Sequence, residues 1–149
     1  MKALALAGLA LLGGCSQMLP DPAAEADAKL AYQDLADGKD AALEAMLAPG
    51  VRKPSDPQTF AMLRGLIPKG PPTSVTQTNW RAYAGTGGRT MTYEHAYAYP
   101  DRTVVVSAVL VPARTPSGWM LSTFHVNAEM AAPAKPAPAA APAKPPAKT

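Results

Sequence analysis

In the first half of the chain, apolar positions recur at the three- and four-residue spacing of helices. From Pro22 to Asp37 the apolar stripe consists of Ala28, Ala31, Tyr32 and Leu35, which one face of a helix would bury. Gly38 follows as a helix terminator. The same reasoning predicts two shorter helices, over Ala41–Leu47 and over Pro57–Ile67, where Pro57 suits the first helical position.

From Ser74 onward the period changes to two, which is typical of strands. The predicted strands, separated by Gly-rich or Pro-containing turns, are Ser74–Ala84, Arg89–Tyr99, Arg102–Pro112 and Trp119–Asn127. Helices followed by an antiparallel meander indicate an α+β fold. We therefore expect N-terminal helices packed on a curved, cone-like, four-stranded antiparallel sheet.

The amino-terminal segment differs in character from the rest of the chain. Lys2 precedes an apolar run that ends at Gly14, which is too short for a transmembrane helix, since that needs about 20 apolar residues. A short cationic region, an apolar region and small residues are typical of a secretion signal. The only cysteine, Cys15, follows directly and cannot form a disulfide within its own chain.

The four residues "LGGC", Leu12 to Cys15, resemble the lipobox of bacterial lipoproteins. The resemblance implies cleavage between Gly14 and Cys15, a diacylglyceryl thioether on Cys15 and acylation of the new amino terminus. It implies a membrane partner, held through palmitate-type acyl chains, for a protein that faces the periplasm. Ser16 replaces the Asp that marks inner-membrane retention in such lipoproteins, which favours the outer membrane over the inner membrane.

The carboxy-terminal segment from residue 131 to residue 149 contains only Ala, Pro, Lys and a final Thr. This composition predicts a disordered extension, because it cannot bury apolar surface. Without Lys2 and the tail lysines Lys135, Lys144 and Lys148, ten cations remain against eleven acids. The basic pI therefore gives no support for a nucleic-acid partner. The tail lysines are instead candidates for contact with an anionic envelope polymer.

Three stretches of the central region carry a second resemblance. "GLIPKGPP", "YEHAYAYPDRTVVVSAVL" and "SGWMLSTFHV" look like small secreted domains of the nuclear transport factor 2-like, cystatin-like class, over about Leu30 to Val126. The resemblance implies an open cone whose mouth holds a small apolar ligand, or a scaffold that dimerises or binds a protein. Fold alone does not decide between these functions.

The candidate pocket face consists of Tyr93, His95, Tyr97 and Tyr99, which alternate along one predicted strand. Glu94 and His95 should point to opposite faces of the sheet. His95 and His125 lie on strands that another strand separates, so they make a poor metal site. The sequence predicts no metal ligands, no cofactor and no catalytic residue.

These observations divide the chain into a signal peptide (1–14), a lipidated linker (15–22), an α+β domain (23–130) and a disordered tail (131–149). The predicted function is a lipid-anchored envelope protein with a non-catalytic domain for a small ligand or a protein partner, and dimerisation stays open. One alternative is a hydrolase or isomerase that uses His95 and the neighbouring tyrosines. Another is a structural tether that acts through the cationic tail.

Overall fold

The computed structural model describes residues 19–51 and 57–130. In chain order, its elements are the helices α1 (Pro22–Ala36), α2 (Asp40–Met46) and α3 (Pro57–Gly65), followed by the strands β1 (Ser74–Gly85), β2 (Gly88–Ala98), β3 (Arg102–Pro112) and β4 (Trp119–Met130). The predicted signal peptide, the cleavage site at Gly14 and Cys15, and the tail with Lys135, Lys144 and Lys148 lie outside the described residues.

The four strands form one open antiparallel sheet in the order β1-β2-β3-β4. The three helices pack against this sheet, which confirms the predicted α+β fold and its four-stranded meander. Four predicted helix boundaries are wrong by one or two residues. Helix α1 ends at Ala36 and not at Asp37, α2 runs from Asp40 to Met46 and not from Ala41 to Leu47, and α3 ends at Gly65 and not at Ile67.

Helix α1 has identifiable start and stop signals. The Asp21 side chain accepts hydrogen bonds from the backbone N–H groups of Ala23 (3.0 Å) and Ala24 (3.3 Å), which satisfies donors that have no partner inside the helix. Gly38 follows the last turn with a φ of 73°, a backbone conformation that glycine adopts without strain. The predicted stripe is buried along its whole length, with exposed fractions of 5% or less.

The core lies between α1 and one face of the sheet. Alternate residues of β2 and β3 are buried, from Met91 to Tyr97 and from Val104 to Leu110. The residues between them point to the other face and are partly exposed. Trp119 is buried, and Phe124 is partly buried against the same core.

Strand β1 departs from the strict alternation that its sequence suggests. The pairing register with β2 shifts between Gln77 and Asn79, as in a β-bulge, where one strand carries an extra residue. Alternation would place Val75, Gln77 and Arg81 on one face. Because of the bulge, Val75 and Gln77 share the helix-covered face, whereas Arg81 points to the other one.

None of the helices within residues 19–51 and 57–130 has both the length and the apolar character that crossing a membrane requires.

Candidate functional site

A cleft of about 1150 Å³ opens between the helices and one end of the sheet. Its walls are the second half of α1, helix α3, the connection from Ile67 to Pro72, and the helix-facing side of β1 and β2. The prolines of this connection prevent it from continuing α3. The volume lies slightly above the range of about 300–1,000 Å³ that is typical of small-ligand pockets.

Aromatic rings form the inner wall of the cleft. Tyr32 of α1 stacks on Tyr97 of β2, with 3.7 Å between ring centroids and 20° between ring planes. The Tyr32 hydroxyl also shares a 2.6 Å hydrogen bond with the hydroxyl of Tyr99. Burial raises the pKa of Tyr97 to about 12 and, together with the bond to Tyr99, raises the pKa of Tyr32 further. These phenols therefore stay neutral at physiological pH.

His95 lies at the inner end of the cleft, next to the aromatic wall. Its side chain is only 2% exposed, and burial lowers its pKa below the ordinary value of 6.5, with Lys29 acting in the same direction. The imidazole is therefore neutral at pH 7. Its Nε2 atom lies 3.6 Å from a carboxylate oxygen of Glu25, which is too long for a hydrogen bond.

Glu25, which lies beside His95 without lining the cleft, is one of the residues near this site that the sequence reasoning missed. It belongs to α1, and its carboxylate binds Lys29 at 2.5 Å, which is the main cause of its lowered pKa. A signal was present in the sequence, because Glu25 precedes Ala28 by three positions and Tyr32 by seven. This spacing places it on the helix face that contacts β2.

Two buried polar atoms of the cleft wall have no hydrogen-bond partner among the described residues. They are the Nε2 atom of His95 and the hydroxyl oxygen of Tyr97. Leaving a buried polar group without a partner costs about 1–3 kcal/mol, so native proteins rarely retain such a group without a functional reason. Both residues line the same cleft, which makes them its most informative feature.

The structure brings three of the four predicted pocket residues together at the cleft. His95, Tyr97 and Tyr99 line it, whereas Tyr93 does not. The Tyr93 hydroxyl accepts a hydrogen bond from the backbone N–H of Asp21 (2.8 Å) and donates one to its carbonyl (3.0 Å). Tyr93 thus fastens the start of α1 to the sheet.

Both histidines occupy positions unsuited to joint metal binding. His95 is buried under α1, while His125 pairs with Ser107 on the other face and is exposed. Within the described ranges, the structure contains no group of three His, Cys, Asp or Glu side chains that could hold a metal ion.

The mouth of the cleft carries more positive than negative groups. Lys29, Arg64 and Lys69 line it, against one acid, Asp37. Arg64 is paired with Asp40, and Asp37 is paired with Lys39 at 2.9 Å. Lys69 forms no ion pair with any described residue and remains available to an anionic group of a ligand.

Comparison of the chain with protein-family models, with curated proteins and with solved structures found no match. The structure itself defines the class of the protein: an α+β domain with a lateral cleft. The lipobox and the nuclear transport factor 2-like resemblance stay predictions.

The buried position of His95 predicts that the domain loses stability in mild acid. Because the folded-state pKa is below that of the unfolded chain, the unfolded state takes up a proton first as the pH falls through about 6.5. We expect a lower melting midpoint at pH 5.5 than at pH 7.5, and a flatter pH profile for His95→Gln. The pKa of Glu25 is lowered from its ordinary value of 4.5. Protonation of Glu25 therefore reduces stability only in a separate, more acidic pH range.

His125→Gln is the matched control for this prediction, because it removes an exposed histidine from the other face of the sheet. Its pH profile should follow that of the unaltered protein. A profile for His95→Gln as steep as that of the unaltered protein would show that His95 does not cause the acid sensitivity.

Proposed function

We propose that this protein is a lipid-anchored component of a bacterial envelope whose cleft binds a small ligand. The observation that carries the proposal is the pair of buried polar atoms without partners, His95 Nε2 and Tyr97 Oη, in the wall of a large aromatic-lined cleft. The anchor rests on the lipobox resemblance at Cys15.

The cleft indicates the chemistry of the ligand. Tyr32, Tyr97 and three prolines line the cleft, which suits an aromatic or alicyclic body. The neutral Tyr97 hydroxyl can donate a hydrogen bond to a ligand oxygen, and Lys69 favours an anionic group at the mouth. A small molecule with a flat apolar body and an oxygen-bearing end fits these features.

The same geometry supports binding better than catalysis. A histidine that acts as a general base needs a third group that orients it. The carboxylate of Glu25, which would orient the imidazole, lies 3.6 Å away and is bound to Lys29. A ligand that adjusts the cleft wall slightly would satisfy these groups without any reaction.

Anilinonaphthalene sulfonate is a suitable probe for this proposal, because it combines a flat aromatic body with an anionic group. We expect the probe to bind the folded protein saturably at a single site. A fluorescence titration measures this binding. Ala61→Trp should weaken this binding, since Ala61 lines the cleft and an indole there would occupy part of its space.

Met62→Trp is the matched control for the probe experiment. Met62 is the next residue of α3, is 67% exposed and does not line the cleft. The probe should bind this variant as it binds the unaltered protein. Equal binding by the Ala61→Trp and Met62→Trp variants would show that the cleft is not the binding site.

Tyr97→Phe separates binding from stability. The substitution removes a buried hydroxyl that has no partner, so we expect the melting midpoint to stay unchanged or to rise. Probe binding should nevertheless weaken by about tenfold, which corresponds to about 1.4 kcal/mol for one lost hydrogen bond. A lower melting midpoint with unchanged probe affinity would indicate that the hydroxyl serves the fold and not a ligand.

A further inference from the structure

We infer that the end of the sheet formed by the β1–β2 and β3–β4 connections lies against the lipid headgroups, and that the cleft faces away from the membrane. This end, called the hairpin end below, consists of residues 19–21, 83–89 and 112–119. The inference rests on the proposed lipid anchor at Cys15, but it concerns the orientation of the domain and not the presence of the anchor.

The first argument is the shortness of the connection between Cys15 and the folded domain. Only three residues separate Cys15 from Leu19, so even a fully extended chain spans at most about 14 Å between them. A lipid attached to Cys15 therefore holds Leu19 close to the bilayer surface.

The second argument is that Leu19 and Asp21 are fixed to the sheet. Arg89 donates a 3.4 Å hydrogen bond to the Leu19 carbonyl and lies 3.7 Å from the Asp21 carboxylate. Tyr93 holds the Asp21 backbone through two hydrogen bonds. Arg89 adjoins the β1–β2 turn, and Tyr93 is the middle residue of β2. Because Leu19 and Asp21 are bound to the sheet, a lipid on Cys15 would hold the hairpin end near the bilayer.

The third argument is the surface chemistry of the hairpin end. Leu19 and Tyr83 are large side chains that are 67% and 68% exposed. Tyrosine favours the interface between lipid and water. Arg114 forms no ion pair with a described residue and can bind lipid phosphate. Within the three segments, the one acid is Asp21, which Arg89 already faces.

The cleft belongs to the opposite end of the sheet. Its wall includes Tyr99, which follows β2, and Pro72, which precedes β1. The 11 residues of β2 separate the two ends by about 35 Å. The ligand therefore enters from the aqueous compartment and is not extracted from the bilayer directly below the domain.

The test uses the full lipidated protein in vesicles of phosphatidylethanolamine and phosphatidylglycerol that carry a headgroup spin label. A fluorescent maleimide is attached to Gly87→Cys in the β1–β2 turn or, as the matched control, to Pro100→Cys in the β2–β3 turn. Both positions are exposed. We expect several-fold stronger quenching at position 87 than at position 100. Equal quenching, or stronger quenching at position 100, would overturn the inference.

A second variant tests the role of the short connection. Ten Gly and Ser residues inserted between Met18 and Leu19 should reduce the difference between the two labels, because the attachment no longer limits the distance. An unchanged difference would overturn the role of the connection. Failure of the anchor itself gives a separate result, since the unlabelled protein would then not float with the vesicles and the Cys15 thiol would react with maleimide.

Discussion

Replacing Cys15 with Ser is expected to release the protein from the membrane almost completely. The lipobox resemblance implies that acyl chains are attached at this residue, and each buried methylene would contribute about 0.8 kcal/mol to membrane affinity. Two or three chains therefore hold far more firmly than any contact of the folded domain. Palmitate labelling and membrane fractionation measure the effect.

Ser16→Ala is the matched control for the anchor prediction, because it changes the neighbouring side chain and leaves the thiol in place. This variant should remain labelled and membrane-bound. A Cys15→Ser protein that still carries label and sediments with membranes would contradict the anchor, while the proposal of a ligand-binding cleft would be unaffected.

Tyr93→Ala is expected to destabilise the domain by about 3–5 kcal/mol, as is typical when a buried aromatic side chain is truncated. Its ring has no exposed surface, and its hydroxyl makes two bonds to Asp21. Tyr93→Phe keeps the ring and should cost about 1–3 kcal/mol, because the Asp21 backbone then lacks its partner. Chemical denaturation of each variant measures these differences.

Tyr83→Ala provides the comparison for Tyr93, because it removes the same side chain from the adjacent strand at a position that is 68% exposed. Its effect on the free energy of unfolding should stay within about 0.5 kcal/mol. If Tyr93→Ala destabilised the domain no more than Tyr83→Ala, the packing of α1 on β2 described above would be wrong.

Much of this fold could be predicted from the sequence because local patterns determine it. The stripe of α1, the Gly38 terminator and the alternation in β2 each depend on residues close together in the chain. The helical period predicts which face is buried, and the strand period predicts that Glu94 and His95 diverge. The boundaries of α2 and α3 were less certain, because the ends of helices depend on capping and on tertiary contacts.

The candidate site could be predicted only in part, because it depends on contacts between distant segments. The alternation of His95, Tyr97 and Tyr99 was visible, but the stacking of Tyr32 on Tyr97 requires α1 to cross β2. The approach of Glu25 to His95 arises from the same crossing. The bulge in β1, which places Gln77 in the cleft wall, interrupts a regular pattern and has no clear local signal.

The most direct test of the central claim is native mass spectrometry of the protein extracted gently from the membranes in which it was made. The account predicts a non-covalent adduct of discrete small mass on the unaltered protein and on Met62→Trp, and a smaller fraction of adduct on Ala61→Trp, where the indole occupies part of the cleft. An equal fraction of adduct on Ala61→Trp, or no adduct on any of the three proteins, would contradict a ligand-binding cleft.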